Sequence, residues 1–265
     1  MDCFDVVSVR YDLNFYEALK HINKTFKLGL NGFVDSTTII QPKRQDLLPQ
    51  TRKTIQAIPK AWSKASLAYW AQYGIDEDFL NESFIYDTKT VYTDHVLVQR
   101  ATEKNPIFTY LFPPSTHIKV YRPYCKERKW RSNTSNEDID GLHNLPKKGK
   151  LLIITSSRKD RMVLNTMGFS AVSPSTSEHA LLDEDICKKL KKRFKHILVF
   201  MDADSAGDKA AYKYFDKRGF NSISIPLRYK TKDISDFRSR FKHKKTYKSL
   251  KKMIKNHFNK RNIPF

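Results

Sequence analysis

Asp202 and Asp204 are the pair in this 265-residue sequence whose type and spacing best suit chemistry. They follow Ile197-Leu198-Val199-Phe200-Met201, an apolar run long enough for one buried strand. On an extended segment, residues two apart point to the same side. At a strand's C-terminal end both carboxylates would overhang the edge of a sheet, where open α/β sheets place their ligands. Two close carboxylates with no basic residue beside them repel, unless a divalent cation joins them. Mg²⁺ suits such a pair, because it takes one or two protein carboxylates and keeps its other positions for water and substrate phosphates. The spacing alone fits a solvated Asp-rich turn equally well. Gly207 allows a tight turn, and Lys209-Ala210-Ala211-Tyr212-Lys213-Tyr214-Phe215 reads as the next helix.

The surrounding elements alternate. Leu151-Leu152-Ile153-Ile154-Thr155 predicts an earlier buried strand, followed by Ser156-Ser157-Arg158-Lys159-Asp160 and a helix to Met167-Gly168. Phe169 to Ser173 gives a short second strand. Ser222-Ile223-Ser224-Ile225-Pro226-Leu227 supplies another after the central one, ahead of Lys230-Thr231-Lys232-Asp233-Ile234-Ser235-Asp236-Phe237. Over about residues 150 to 240 this order resembles the Toprim domain of DnaG-type primases and phage primase-helicases. Asp202-Ala203-Asp204-Ser205-Ala206-Gly207 is similar to that family's Asp-x-Asp-x-x-Gly, and Lys232-Asp233-Ile234-Ser235-Asp236 to its Lys-Asp-Pro-x-Asp. The resemblance implies an α/β fold with a mostly parallel sheet flanked by helices, and Mg²⁺ or Mn²⁺ held by Asp202 and Asp204. Asp233 and Asp236 would either serve a second cation or cap the following helix.

One position departs from the family pattern. Its first strand ends in a Glu, within a motif like Cys-Glu-Gly-x-x-Asp. Aligning Lys159-Asp160 with that motif puts Ser156 where the Glu belongs. A hydroxyl can hold a metal-bound water but brings no negative charge, which weakens metal affinity or removes a general base. Glu178 is the nearest carboxylate that could substitute, and a solvated loop Glu is the competing reading. Arg158 and Lys159, with Asp160, open a helix at the expected catalytic edge, where a helix N-terminus and basic side chains both favour phosphate. Lys232 has the same appeal.

Charge points to the same class of partner. The chain has 49 basic and 28 acidic residues, a formal net charge of +21, which favours a polyanion such as nucleic acid or nucleotides over neutral metabolites. At 40% hydrophobic there is ample material for a core. No apolar run approaches transmembrane length and no signal peptide opens the sequence, so no membrane partner is expected. Cys3, Cys125 and Cys187 are far apart and odd in number. They form neither a zinc pattern nor a disulfide framework, so a reducing, cytoplasmic setting is expected (that of the host cell, if a phage encodes the chain).

At the start, Phe15, Leu19 and Ile22 share one helical face behind Asn14 as N-cap. With Asp2-Cys3-Phe4-Asp5-Val6-Val7 before them, they resemble the tail of a primase zinc-ribbon domain, in which a strand precedes a Phe-x-Glu-Ala-Leu helix. The zinc ligands of such a domain would lie upstream, so no zinc is expected in this chain, and His21 reads as surface or helix-packing. Residues 31 to 60 read as a basic linker, completing a first region of 1–60. Residues 61–148 read as a smaller α+β subdomain. Leu67, Trp70 and Ala71 look helical, Gly74 ends that helix, and Asp76 starts another. After them comes β texture at Val91-Tyr92, Val96-Leu97-Val98, residues 107–112 and Ile118-Lys119-Val120-Tyr121.

Alternation in the last run puts Lys119 and Tyr121 on one face and Ile118 and Val120 on the other. Basic residues interleaved with Tyr and Trp continue to Asn133. Cations that follow phosphates and rings that stack on bases are what a single-strand groove needs. An ordinary basic hairpin with one buried Trp has the same composition. The segment resembles the part preceding Toprim in these primases, which implies Lys119, Tyr121, Arg122, Lys129, Trp130 and Asn133 as contacts to single-stranded DNA template.

Residues 149–240 are then the Toprim-like domain. Within it, Lys188 to Lys195 is a basic helix end that reads first as a solvated face. Residues 241–265 form a basic helix: Lys242 to Phe265 holds nine Lys or Arg and no acid, and Tyr247, Leu250, Ile254 and Phe258 make one packing stripe. No phosphate loop of the Gly-x-x-x-x-Gly-Lys-Ser/Thr kind is present, so a replicative helicase would be a separate chain. The resemblance implies a DNA primase core that joins ribonucleotides on single-stranded DNA, with Asp202, Asp204, Ser156 and Glu178 nearest the chemistry. Its rivals are a Toprim nuclease and a catalytically degenerate Toprim protein that binds single strands and recruits replication partners. A dehalogenase-like phosphatase would carry Asp-x-Asp on the first strand of its domain, and ranks lower.

Overall fold

The computed structural model describes residues 3–29, 54–176 and 180–263, and the chain divides into two compact units, residues 1–52 and 53–265. In the first, α1 (Cys3–Tyr11) and α2 (Phe15–Phe26) form a helical hairpin. Asn14 starts α2 with a capping box: its side chain accepts the Glu17 N–H at 3.0 Å, and the Glu17 carboxylate accepts the Asn14 N–H at 2.9 Å. The expected strand before this helix is α1 instead. A strand needs a partner, and among the described residues of this unit there is none, whereas the hairpin pairs Phe4 with Phe15 and Tyr11 with His21.

The second unit begins inside the expected linker. Ile55-Gln56-Ala57-Ile58-Pro59 is β1, because β2 (Ile85–Thr93) offers it an antiparallel partner from Thr88 to Thr93. Between them lie α3 (Lys64–Ala71), capped by Ser63, and α4 (Glu77–Glu82), capped by Asp76. The remaining strands of this sheet are β3 (Val96–Arg100), β4 (Phe108–Leu111), β5 (Ile118–Tyr121) and β6 (Trp130–Ser132). All pairings are antiparallel, in the order β1-β2-β4-β5-β6, with β3 also on β2.

The second sheet holds β7 (Ile139–Asp140), β8 (Gly149–Thr155), β9 (Ser170–Pro174), β10 (Phe194–Phe200) and β11 (Asn221–Ile223). Its order is β11-β10-β8-β9-β7, parallel except for β7. The crossovers are α5 (Arg158–Thr166), α6 (Glu184–Arg193) and α7 (Ser205–Arg218); α8 (Ile234–Arg240) and α9 (His243–Lys260) follow. On β8, Ile153 enters an apolar cluster with Tyr69, Trp70, Phe108, Phe200, Phe237, Leu250 and Phe258. Leu152 and Ile154 enter another, with Val199, Met201, Leu190 and Tyr214. Central strands covered on both faces explain why their sequences are unbroken apolar runs. The first of these clusters is shared with the antiparallel sheet, so both layers close on one core. No helix among the described residues is long and apolar enough to cross a membrane.

Candidate functional site

β8 and β10 end side by side, with Thr155 opposite Phe200, so the residues that follow leave one sheet edge together. Three helices start there. Ser157 caps α5 through the Asp160 N–H, Asp204 caps α7 through the Ala206 and Gly207 N–H groups, and Asp233 caps α8 through the Asp236 N–H. The helix after the Asp pair thus begins at Ser205, and Gly207 lies inside its first turn instead of in a tight turn ahead of it. A Cβ at Gly207 would sit 2.0 Å from the Asp202 carbonyl oxygen. The glycine lets the helix press directly against the end of the strand.

Oxygens of Asp160, Asp202 and Asp233 lie within 4.8 Å of one another. Ser156 stands between two of these acids: its Oγ is 2.6 Å from Asp202 Oδ1 and 3.3 Å from Asp160 Oδ2. The Ser157 hydroxyl donates to Asp160 Oδ2 at 2.5 Å, and the Ser235 hydroxyl and N–H both donate to its Oδ1. Burial, and next the Asp160 carboxylate, push Asp233 up to about 8 against the attraction of Lys159. Three carboxylates this close are deficient in positive charge, and hard oxygen donors in such a group fit a divalent cation. Asp204 stands outside the cluster of three. Its carboxyl is held below the usual range, chiefly by the Gly207 N–H and then by Lys232.

Lys232 closes the arrangement from the far side. Its Nζ is 3.0 Å from Asp202 Oδ2 and 3.1 Å from Asp204 Oδ2. The Ala203 N–H donates to the Lys232 carbonyl at 2.6 Å, tying the Asp-Ala-Asp turn to the Lys-Asp loop. These bonds to the two carboxylates, Asp202 foremost, hold the ammonium more basic than usual.

The other residues expected at phosphate separate. Arg158 is buried: its Nε lies 2.6 Å from Asp140 Oδ1, one of its amino groups reaches the Leu111 carbonyl at 3.0 Å, and its guanidinium stacks on Phe112. Burial lowers it to about 10, which leaves it a cation at neutral pH. Arg161 binds the same Asp140 through two nitrogens, at 2.6 and 3.1 Å. Nothing in the sequence marked Asp140 or Arg161, since their pairing spans 21 residues and joins β7 to α5. Lys159 lies over the Tyr73 ring at 4.4 Å, and Asp160 and Asp233 raise its proton affinity more than burial lowers it. Asp160, grouped with the phosphate contacts in the sequence, faces other acids and would repel a phosphate. Its spacing of four from Ser156 across a helix start was the signal available. Glu178 lies outside the described residues.

Among the expected template contacts, Tyr121 and Asn133 are occupied internally. Tyr121 is 5% exposed and shares a 2.8 Å hydroxyl contact with Tyr69, while Asn133 Oδ1 accepts the Ile118 N–H at 2.7 Å. Trp130 is 44% exposed and stacks on Tyr121 with centroids 4.3 Å apart. Lys119 lies over Trp130 at 4.8 Å and donates to the Ser175 carbonyl; Lys129 lies over Tyr121 at 5.6 Å. Arg122 is half-buried on the turn beyond β5, where its N–H donates to the Lys129 carbonyl. Lys119 and Trp130 line a cavity of about 370 Å³ that runs to Ser156, Ser157 and Arg158. An exposed indole on a rigid ring support, at the mouth of a cavity reaching Ser156, can stack a base there.

No protein-family model matches the chain, and no curated protein matches its sequence. Solved structures do match. A crystal structure of the Aquifex aeolicus primase, comprising zinc-binding and RNA polymerase domains, is 15% identical at a TM-score of 0.54, over 97% of this chain and 70% of that one. A DnaG primase catalytic domain bound to single-stranded DNA is 12% identical at 0.54, over 73% of this chain and 71% of that one. The primase fragment of the bacteriophage T7 primase-helicase protein is a looser match, 15% identical at 0.48, over 75% and 80%. With parallel strands β8 to β11, an antiparallel sheet before them and the Asp pair at the strand edge, the chain has the fold of a DnaG-type primase core.

Proposed function

We propose that the chain is a nucleotidyltransferase that makes RNA primers on single-stranded DNA. The observation that carries this reading is the meeting of Asp160, Asp202 and Asp233 at the end of β10, with Asp204 beside them. Asp202, Asp204 and Asp233 would hold Mg²⁺ or Mn²⁺, with Asp160 completing the acid set. Such a cation supplies charge neutralisation for a triphosphate and its leaving pyrophosphate. Ser156 would orient Asp202 through its 2.6 Å hydrogen bond, in place of a carboxylate. Lys232 would receive phosphate oxygens at the rim, and Arg158 would stiffen the cavity floor instead of touching phosphate. Lys119, Lys129 and Trp130 would hold the template, with Arg122 on the adjoining turn. Residues 61–148 and 149–240 would serve as template-binding and Toprim domains. A separate helicase would deliver the strand, in the cytoplasm.

The test is synthesis of labelled ribonucleotide primers on single-stranded templates with Mg²⁺ or Mn²⁺, comparing the wild type with Asp202→Asn and Asp204→Asn. Short products that vanish in both variants are the expected result. A second reading rests on Ser156, a hydroxyl where the family places a Glu: a site that binds strands and recruits partners without catalysis. It predicts no products, and salt-sensitive strand affinity that Asp202→Asn leaves intact.

A further inference from the structure

Lys232 pairs with two of the carboxylates assigned above to the cation. Its ammonium touches Asp202 Oδ2 at 3.0 Å and Asp204 Oδ2 at 3.1 Å, while Asp202 Oδ1 is taken by Ser156. The backbone of Lys232 is fixed by the Ala203 hydrogen bond, but its side chain is 49% exposed and has room to swing away. Asp202 and Asp204 therefore already hold one positive charge, on an arm long enough to leave.

We propose that Lys232 is a resident counter-ion that a divalent cation must displace, and that the displaced ammonium then binds the triphosphate sharing that cation. This rests on the metal reading given above. The cation and the ammonium compete for the same two carboxylate oxygens, so the cation alone binds against the cost of breaking two ion pairs. A triphosphate gives the released ammonium new oxygens, so each ligand tightens the other beyond their direct contact. An empty site keeps part of its charge compensated, and the site assembles fully only when metal and nucleotide arrive together.

The experiment is Mn²⁺ titration of the full chain by electron paramagnetic resonance, with and without a non-hydrolysable ribonucleoside triphosphate. Wild type, Lys232→Met, Lys232→Arg and Asp202→Asn are compared after thermal melts establish folding. Two partly exposed ion pairs predict Mn²⁺ binding to Lys232→Met that is about 3- to 10-fold tighter than wild type without nucleotide. The factor by which the triphosphate tightens Mn²⁺ shrinks in Lys232→Met and persists in Lys232→Arg. Mn²⁺ binding that depends on Asp202 but is no tighter in Lys232→Met overturns the counter-ion role while leaving the metal site standing. Binding indifferent to Asp202→Asn overturns the metal reading and this proposal with it.

Discussion

Gly207→Ala is the substitution that best tests whether the strand end and helix start form one positioning device. The new Cβ would lie 2.0 Å from the Asp202 carbonyl oxygen, 2.8 Å from its carbonyl carbon and 2.9 Å from its nitrogen. Ordinary contact begins near 3.4 Å, so the start of α7 and the turn at Asp202 must part by about 1.4 Å. Both sides of the gap are backbone, so no side-chain rotation relieves it. Overpacking costs about 1–3 kcal/mol, and the better helix propensity of Ala returns roughly 1 kcal/mol of that. Stability should fall by no more than about 2 kcal/mol. Function should fall further, because Asp202 and Asp204 flank the gap, and a displacement of about 1 Å costs up to roughly 100-fold where geometry decides. Mn²⁺ titration and thermal denaturation of the same sample separate the two effects. Gly219→Ala is the control. Nothing lies within 4 Å of that position, but its φ of +69° strains any other residue, so stability drops by about 1 kcal/mol with metal binding intact. A folded Gly207→Ala protein with wild-type Mn²⁺ affinity would refute the reasoning.

Asp140→Ala should lower unfolding free energy by about 3–5 kcal/mol in urea melts, because Arg158 and Arg161 are left buried together without their shared anion. A loss under 1 kcal/mol would mean that water compensates them. Trp130→Ala should weaken single-strand affinity about 5- to 150-fold, the equivalent of one lost base stack, with Trp130→Phe retaining most of it. Fluorescence anisotropy with an oligonucleotide decides, and equal affinities would remove Trp130 from the binding surface. Asp138 is held below the usual carboxylate range: its burial is outweighed by bonds from the Ser135 N–H, the Ser115 hydroxyl and His117. A depressed folded pKa means that its contribution is present above the unfolded value near 3.9 and is lost as pH falls through the folded value. The melting-temperature gap between wild type and Asp138→Asn should therefore be widest near neutral pH and close as pH falls through the folded value. A gap that widens on acidification would contradict this sign.

The parallel sheet was legible because strands buried on both faces leave unbroken apolar runs, and because Asp202-Ala203-Asp204 interrupts one abruptly. α4 was announced by its capping residue Asp76, and α3 by the spacing of Leu67, Trp70 and Ala71, with its cap Ser63 seen only in the structure. Local pattern failed where pairing is distant. Ile55 to Pro59 becomes a strand only because Thr88 to Thr93 lies beside it, and Cys3 to Tyr11 becomes a helix because α2 is its available neighbour. The site divides the same way. Asp202, Asp204, Asp233 and Lys232 lie in compact motifs. Asp160 was visible but given the wrong company, since its neighbours Asp202 and Asp233 arrive from 42 and 73 residues downstream in the numbering. Arg158 shows the converse: a residue with the right type at the right helix start, committed to an internal acid that no local signal announces.

The apolar cluster that joins the two sheets runs from Tyr69 and Trp70 to Leu250, Ile254 and Phe258. Phe258 leaves the ribosome about 190 residues after Trp70, a delay of roughly 10–40 s at ordinary synthesis rates. Throughout that interval the end of the cluster that α9 completes is uncovered, and its apolar side chains are open to the same contacts in neighbouring nascent chains. The last helix then acts on yield as well as on final stability. Trimming Leu250 or Ile254 to Ala would send more of the newly made protein to chaperones and aggregates than the loss of one buried side chain implies.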